Sequence, residues 1–347
     1  MVVAFVLSLN LFNLIRFYGL EEMDKIREVP IGIWEITFNA FLGGTISGII
    51  IGTFDNILDG RNIRQKSFGS VVLIKTAAYI TAFFITITIV FFSTNLIMLG
   101  FTFPETVENF GIFIKKKVFF VYIVYGLIVI FIINFIKQAD RKVGPGILFK
   151  FFMGKYHKPI EEERVFMFLD LKSSTTIAEK LGHIRYSNLI QDCFLDLTEV
   201  VRNHNAEIYQ YVGDEAVLTW KIEDGINDAN CIGLYFEYDR ALKKKEAYYI
   251  KNYDTLPIFK AGINCGTVTA AEVGEIKSEI AYHGDVLNTA ARIQSQCNVL
   301  HKNLLISEYL KEMLEKFPSV RVENIGEIVL RGKEKPIGIY SIEIVES

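Results

Sequence analysis

Arg164 to His183 reads RVFMFLDLKSSTTIAEKLGH. Val165 to Leu171 is an apolar run broken only by Asp170, as expected of a strand buried on both faces. Ser173, Ser174, Thr175 and Thr176 then open a helical run, Ile177 to Leu181, which Gly182 closes. A carboxylate at a strand end, followed at once by a helix N-terminus, suits a metal-bound phosphate. The acid takes the cation, and the free N–H groups of the first turn face the anion. Taken alone, the stretch suits at least as well a buried strand with an Asp in its turn and a Ser/Thr helix cap. Two later segments decide between these readings.

His183 to Asn203 has helical apolar spacing. Ala206 to Val212 and Ala216 to Ile222 are strand-like and joined through Gly213, Asp214 and Glu215, which predicts a β-hairpin with an acid at its tip. If that hairpin pairs beside the first strand, Asp170 and Asp214 come together. Two carboxylates that close repel unless cations lie between them; the alternative is an inert Gly-Asp turn. Ile226 to Tyr249 predicts one long helix, and Pro257 to Cys265 and Val268 to Val273 predict strands around a turn at Gly266. In Ile280 to Gln296, IAYHGDVLNTAARIQSQ, Asp285 is placed to cap a helix on which Asn288 and Arg292 share a face. Arginine offers a fixed fork of donors to a phosphate and keeps its charge. Leu304 to Ser307, Glu327 to Arg331 and Ile337 to Val345 are closing strands, with Lys333 in the turn between the last two.

FLDLKSST, YVGDE and GDVLNTAAR, in this order and at these separations, resemble the class III adenylate/guanylate cyclases over Glu163 to Val345. The resemblance implies an α/β ferredoxin-like catalytic domain with extra elements, acting as a homodimer whose sites form between chains. It implies that Asp170 and Asp214 bind two ions of Mg²⁺ or Mn²⁺, assisted by the carbonyl of Leu171. Lys172, Ser173, Ser174 and Thr175 would hold the triphosphate with Lys333. Asn288 would orient the ribose, and Arg292 would meet the transition-state charge. Gln210, four residues before Asp214, and Ala281, seven before Asn288, fall where the family reads the base. Neither matches the Lys and Asp/Thr/Ser common in adenylate cyclases, nor the Glu and small polar residue common in guanylate cyclases. A Gln amide donates to adenine N1 or accepts from guanine N1–H. ATP is the expected substrate, with GTP as the alternative.

The first half of the chain is of another kind. Ile36 to Phe54, Thr76 to Pro104 and Val118 to Ile136 are free of charge and each long enough to span a bilayer as a helix. Met1 to Ile15 is uncharged but shorter. It lacks a basic n-region and a small-residue cleavage site, so it is read as a first spanning helix rather than a signal peptide. The expectation is a four-helix transmembrane domain over residues 1–137, a juxtamembrane coupling segment over 138–163 and a nucleotide cyclase domain over 164–347. Lys137, Arg141, Lys142, Lys150, Lys155 and Lys158, with Arg61, Arg64 and Lys66, put the catalytic domain on the cytoplasmic side of a plasma (inner) membrane. Lys115 to Lys117 run against that rule. Gly44, Gly48 and Gly52 line one face of the second helix, for close packing within the bundle or between copies. Ile147 to Tyr156, apolar with interspersed Lys, suits a segment near lipid headgroups. Glu161 to Glu163 reads as a solvated charge run.

Hydrophobic residues make up 51% of the 347, and mean hydropathy is +0.29, in keeping with a membrane half. A net charge of −3 gives no basic field for nucleic acid. Cys193, Cys231, Cys265 and Cys297 are far apart and form no CxxC, which suits reduced thiols. The five histidines are scattered, and none is assigned to a metal. A diguanylate cyclase would carry GGDEF where this chain has VGDEA, and the Asn288/Arg292 helix argues against it. A nucleotide-binding receptor without catalysis is opposed by the intact Asp170, Asp214, Asn288 and Arg292. A transporter is opposed by spans that offer no buried ion pair.

Overall fold

The computed structural model describes residues 2–19, 33–58, 66–144, 146–314, 320–329 and 336–344. The chain divides into two units, Met1–Val143 and Gly144–Ser347. The first is helical: α1 (Val2–Gly19), α2 (Ile33–Leu58), α3 (Phe68–Ser93, running on into a π-turn at Thr94–Met98), α4 (Phe103–Phe113) and α5 (Lys117–Val143). Thr37–Leu58, Phe68–Ile97 and Phe119–Val143 are long and apolar enough to cross a membrane, while the apolar part of α1 is Val3–Phe12. The third span does not reach Pro104 as expected. The chain turns at Gly100, whose φ is +71°. Thr102 and Glu105 then form a capping box with Pro104 in the first turn of α4.

Two further expectations are corrected here: that the third span starts at Thr76, and that the spans offer no buried ion pair. Helix α3 starts well before Thr76, so Lys75 lies inside it and is buried. Its Nζ donates to Asp55 Oδ1 at 2.6 Å, and Tyr79 and Lys137 also hydrogen-bond Asp55. The helical unit therefore holds a buried ionic cluster, as buried charges require partners. Gly44 packs within the chain: a Cβ there would lie 2.6 Å from the Val6 backbone of α1. Gly52 faces open space among the described residues.

The second unit opens with α6 (Ile147–Phe152) and continues β1 (Ile160–Leu171), α7 (Ser174–Asn203), β2 (Glu207–Val212) and β3 (Glu215–Lys221). It then runs through α8 (Ile222–Ile226), α9 (Asn230–Lys244), α10 (Glu246–Tyr253), β4 (Phe259–Val273), β5 (Glu279–His283), α11 (Asp285–Val299), β6 (Leu304–Ser307), α12 (Glu308–Met313), β7 (Val320–Ile328) and β8 (Ile337–Ile344). The strands form one sheet in the order β2-β3-β1-β4-β6-β8-β7, with β5 added on β4. β1 is inside the sheet, antiparallel to β3 and to β4. Met167 and Leu169 join one core and Phe166 and Phe168 another. Burial on both faces is why this strand shows no alternation.

The helix kinks at Gly182, φ 72° and ψ 165°, where the sequence closed its first segment. The long helix expected over Ile226 to Tyr249 is broken, at Asn227–Ala229 and again at Lys245. Gly266 makes no turn. β4 runs through it for 15 residues because β1 pairs with both halves, Arg164 standing opposite Gly266. β7 starts before the expected Glu327 to Arg331 run and includes its first two residues, while Leu330, Arg331 and Lys333 lie outside the described residues. The four cysteines are free and buried.

The charge run at Glu161 to Glu163 is not simply solvated. β1 begins at Ile160, and Glu162 accepts from Lys155 at 2.7 Å and from Arg164 at 2.9 Å. Burial pushes the Glu162 carboxyl up, but these hydrogen bonds and charges outweigh it and hold it at about 2. A depressed carboxyl contributes stability above its unfolded value and loses it as pH falls through the folded one. Thermal melting from pH 7 to pH 2.5 is therefore expected to fall less steeply below pH ~4.5 in Glu162→Gln than in the wild type.

Helix α11 lies against β4 at Gly262. A Cβ on Gly262 would sit 2.2 Å from Gln294 N and 2.6 Å from the Ala290 carbonyl oxygen, both backbone atoms of the helix. Gly262→Ala is expected to cost about 1–3 kcal/mol by overpacking, read as a lower melting temperature of the purified chain.

Candidate active site

Sheet register assembles the charges. Asp170, the penultimate residue of β1, stands opposite Glu215 on β3 and opposite Lys260 on β4. Directly paired residues point to the same face of a sheet, so one cation and two acids meet at the strand end. Asp214 follows from the hairpin tip, where Gly213 takes φ +63° to make the turn. Lys260 Nζ is 3.1 Å from Asp170 Oδ2, and Gln294 Nε2 donates to the same oxygen at 3.0 Å. Asp214 Oδ2 is buried with no hydrogen-bond partner.

Two of the acids are raised. Burial pushes the Asp170 carboxyl up; Lys260 opposes this and the charge of Asp214 adds to it. Glu215 is pushed up to about 7, by burial and then by Asp170 and Asp214. The Tyr186 phenol is pushed up to about 12 by burial and by the charge of Asp214. The cluster is short of positive charge. The orphaned Asp214 oxygen and the concentration of carboxylates suit a hard divalent cation. No group of three His, Cys, Asp or Glu is arranged for a metal among the described residues, so the ligands left over have to come from backbone, water or an anionic substrate.

Leu171 is buried by its side chain, which leaves its backbone as the group to offer. The turn that follows is anchored by Lys172 N donating to the Ile258 carbonyl at 2.8 Å. Ser173 adopts a left-handed conformation, φ 58° and ψ 31°, and α7 starts at Ser174. Lys172, Ser173 and Thr175 are exposed and Ser174 half-buried, so the first-turn N–H groups of α7 open beside Asp170.

Gly284, not Asp285, occupies the cap position of α11; Asp285 is its first residue and accepts from Thr289 at 3.3 Å. Asn288 is exposed and Arg292 half-buried. No hydrogen bond or ion pair joins either to Asp170 or Asp214 among the described residues; Gln294 makes that link instead. At about 100° per residue, Gln294 lies roughly 160° around the helix from Arg292. The helix is thus held to Asp170 by one side and presents Arg292 from the other. Gln210 is exposed on edge strand β2, past a register shift at Tyr209. Ala281 is half-buried on β5 opposite Ala271. Their neighbours Tyr209 and Tyr282 meet with ring centroids 5.2 Å apart.

Lys260, Gln294 and Tyr186 were not picked out from the sequence. Gln294 meets Asp170 across 124 positions, and only strand pairing puts Lys260 there. Glu215 did carry a signal, standing next to Asp214 in the hairpin tip.

Residues 156–343 match the family described as the Adenylate and Guanylate cyclase catalytic domain. The chain is 33% identical over 220 residues to adenylate cyclase 2 of Rhizobium meliloti, covering 63% of this chain and 61% of that protein. It is 24% identical over 189 residues to the receptor-type guanylate cyclase gcy-6 of Caenorhabditis elegans, covering 52% of this chain and 16% of that one. The chain therefore spans less than two thirds of either relative. Among solved structures, a bacterial light-regulated adenylyl cyclase shares the fold with a TM-score of 0.55 at 17% identity, over 66% of this chain and 67% of that one.

Millimolar Mn²⁺ is expected to raise the melting temperature of the purified chain, by binding the folded state alone. EDTA should reverse the rise and Asp214→Asn should remove it. An equal rise in Asp214→Asn would place the cation elsewhere.

Proposed function

Because the chain belongs to the adenylate and guanylate cyclase family, we propose that it is a membrane-bound nucleotide cyclase. It converts ATP to 3′,5′-cyclic AMP and pyrophosphate at a homodimer interface. The observation that carries this reading is the acid pair at the end of β1, Asp170 beside Asp214, whose buried Oδ2 has no partner.

Mg²⁺ or Mn²⁺ held by Asp170, Asp214 and the Leu171 carbonyl would supply a lowered pKa for the ribose hydroxyl and neutralisation of the triphosphate. The residues do the rest. Lys172 to Thr175 and the start of α7 bind the triphosphate, with Lys333 as a further contact. Asn288 holds the ribose so that its 3′-oxygen is in line with the α-phosphorus. That oxygen bonds to phosphorus, the bond to the bridging oxygen breaks, and pyrophosphate leaves; the hydroxyl proton goes to solvent. Arg292 meets the charge that builds on the α-phosphoryl oxygens. Gln210 and Ala281 lie at the base, where only Gln210 offers a side-chain hydrogen bond. The opposed directions of Gln294 and Arg292 on α11 support a site shared between two chains, Asp170 and Asp214 from one and Asn288 and Arg292 from the other. ATP is preferred over GTP because the Rhizobium relative is named an adenylate cyclase.

Three helices long and apolar enough to cross a membrane support the reading of a multi-pass protein of the plasma (inner) membrane with its catalytic domain cytoplasmic. Phe149, Phe152 and Met153 of the α6 region are exposed beside Lys150, which suits contact with lipid headgroups. The membrane unit is the natural regulator of the dimer.

Detergent-purified enzyme is expected to turn over ATP faster than GTP with Mg²⁺ or Mn²⁺. Asp170→Asn and Arg292→Ala should each lose about 100-fold or more in kcat, with melting temperatures near the wild type. Co-expression of the two variants should restore activity, since one site of the mixed dimer keeps both intact residues. No restoration would count against the shared site, and wild-type rates in either variant against the assigned roles.

Gln210→Lys should raise the ratio of kcat/KM for ATP over GTP, because an ammonium only donates and adenine N1 only accepts. A ratio that does not move would put base reading elsewhere.

A further inference from the structure

Arg164 has no role in the site described, yet it is fully buried. A buried guanidinium is tolerated only when it is paired. Its Nε donates to Glu162 Oε2 at 2.9 Å, and its Nη1 reaches Glu207 Oε2 at 3.5 Å. Its guanidinium carbon lies 4.8 Å from the centre of the Tyr282 ring. Nη2 is buried without a partner. These three neighbours sit on three strands: Glu162 on β1, Glu207 on β2 and Tyr282 on β5.

Two of those strands carry the base-reading positions. Glu207 stands three residues before Gln210, and Tyr282 adjoins Ala281. Tyr209 completes the bridge. Its hydroxyl accepts from Tyr282 N at 3.5 Å, and its ring packs edge-on against Phe166 and Tyr282.

The same charges reach back into the segment before β1. Lys150 donates to both oxygens of Glu207, at 3.0 and 3.1 Å. Lys155 Nζ and Tyr156 Oη donate to Glu162 Oε1, at 2.7 and 3.0 Å. Tyr156 is buried in the core that holds Phe166, Tyr282 and Ala290 of α11, and its carbonyl accepts from Glu272 N at 2.8 Å. Lys150, Glu207, Arg164, Glu162 and Lys155 thus alternate in sign, and the series starts and ends in the segment of residues 147–158.

We propose that Arg164 is a positioning residue for base selection. It fixes β2 and β5 relative to each other, so it sets where Gln210 and Ala281 meet the base. Lys150 and Lys155 tie the position of the 147–158 segment to that pocket. The proposal rests on the reading of Gln210 and Ala281 as the base-contacting positions. A network that serves stability alone would, when weakened, lower the melting temperature and slow both nucleotides in proportion. A positioning network would change their ratio.

The test is kcat/KM for ATP and for GTP, measured on the full-length detergent-purified enzyme. The variants are Arg164→Lys, Glu207→Gln, Lys150→Glu and the conservative Lys150→Arg, and Gln210→Lys is the reference that acts on the base directly. Melting temperatures identify any variant that fails to fold. Arg164→Lys and Glu207→Gln are each expected to move the ATP-to-GTP ratio toward one by about fivefold, the scale of one good hydrogen bond. Lys150→Glu should do the same, whereas Lys150→Arg, which keeps a cation on Glu207, should hold the wild-type ratio. If Gln210→Lys shifts the ratio while folded Arg164→Lys and Glu207→Gln keep it, Arg164 is structural only and the proposal fails. If Gln210→Lys leaves it flat as well, the base-pocket reading fails and the proposal falls with it.

Discussion

Asp170 is held in register between Glu215 on one neighbouring strand and Lys260 on the other, and the chemistry of the catalytic unit depends on that placement. It exists because β1 is paired along both edges and covered on both faces. The apolar residues that bury the strand also keep its last acid out of bulk water, and burial raises the carboxyl. With Asp214 alongside and one of its oxygens unpartnered, the cluster carries more negative charge than Lys260 balances. A divalent cation would answer both deficits together.

The opposing ends of the site are joined through a helix. α11 is seated on β4 by the absence of a side chain at Gly262 and tied to Asp170 by Gln294. The same helix turns Asn288 and Arg292 away from the acids of its own chain. That geometry supports the proposal that one chain supplies the cation site and a second supplies the ribose and phosphoryl contacts.

The segment that leads into β1 is bound to the catalytic unit by charges and by the buried ring of Tyr156. Phe149, Phe152 and Met153 point outward, while Lys150, Lys155 and Tyr156 turn inward to Glu207 and Glu162. Ion pairs between partly exposed partners are weak in water, but here they converge on a buried Arg164. Removing one partner leaves a charge without its counter-ion, so the contact is costly to break. The buried Asp55 cluster of the helical unit follows the same rule, with Lys75 and Lys137 paired to one carboxylate.

Much of this was legible in the residues. The apolar run ending in Asp170, the acid-tipped hairpin at Asp214, the Asn288/Arg292 spacing and the long charge-free segments are local patterns, and the elements they predict are present with modest shifts. The failures turn on partners that local pattern does not show. Gly266 looked like a turn, Glu161 to Glu163 like a solvated run, and the spans like segments without a buried ion pair. β1 pairs across Gly266, Asp55 meets Lys75 from 20 positions away, and the fold into β1 brings the near neighbours Lys155 and Arg164 onto Glu162. The sequence by itself determined which residue types stand at strand ends and helix starts, because those depend on periodicity and local backbone preference. Tertiary structure alone decided that Lys260 and Gln294 meet Asp170 and that Arg164 is buried between Glu162, Glu207 and Tyr282. Such contacts depend on strand register and helix packing, which bring together residues tens to more than a hundred positions apart.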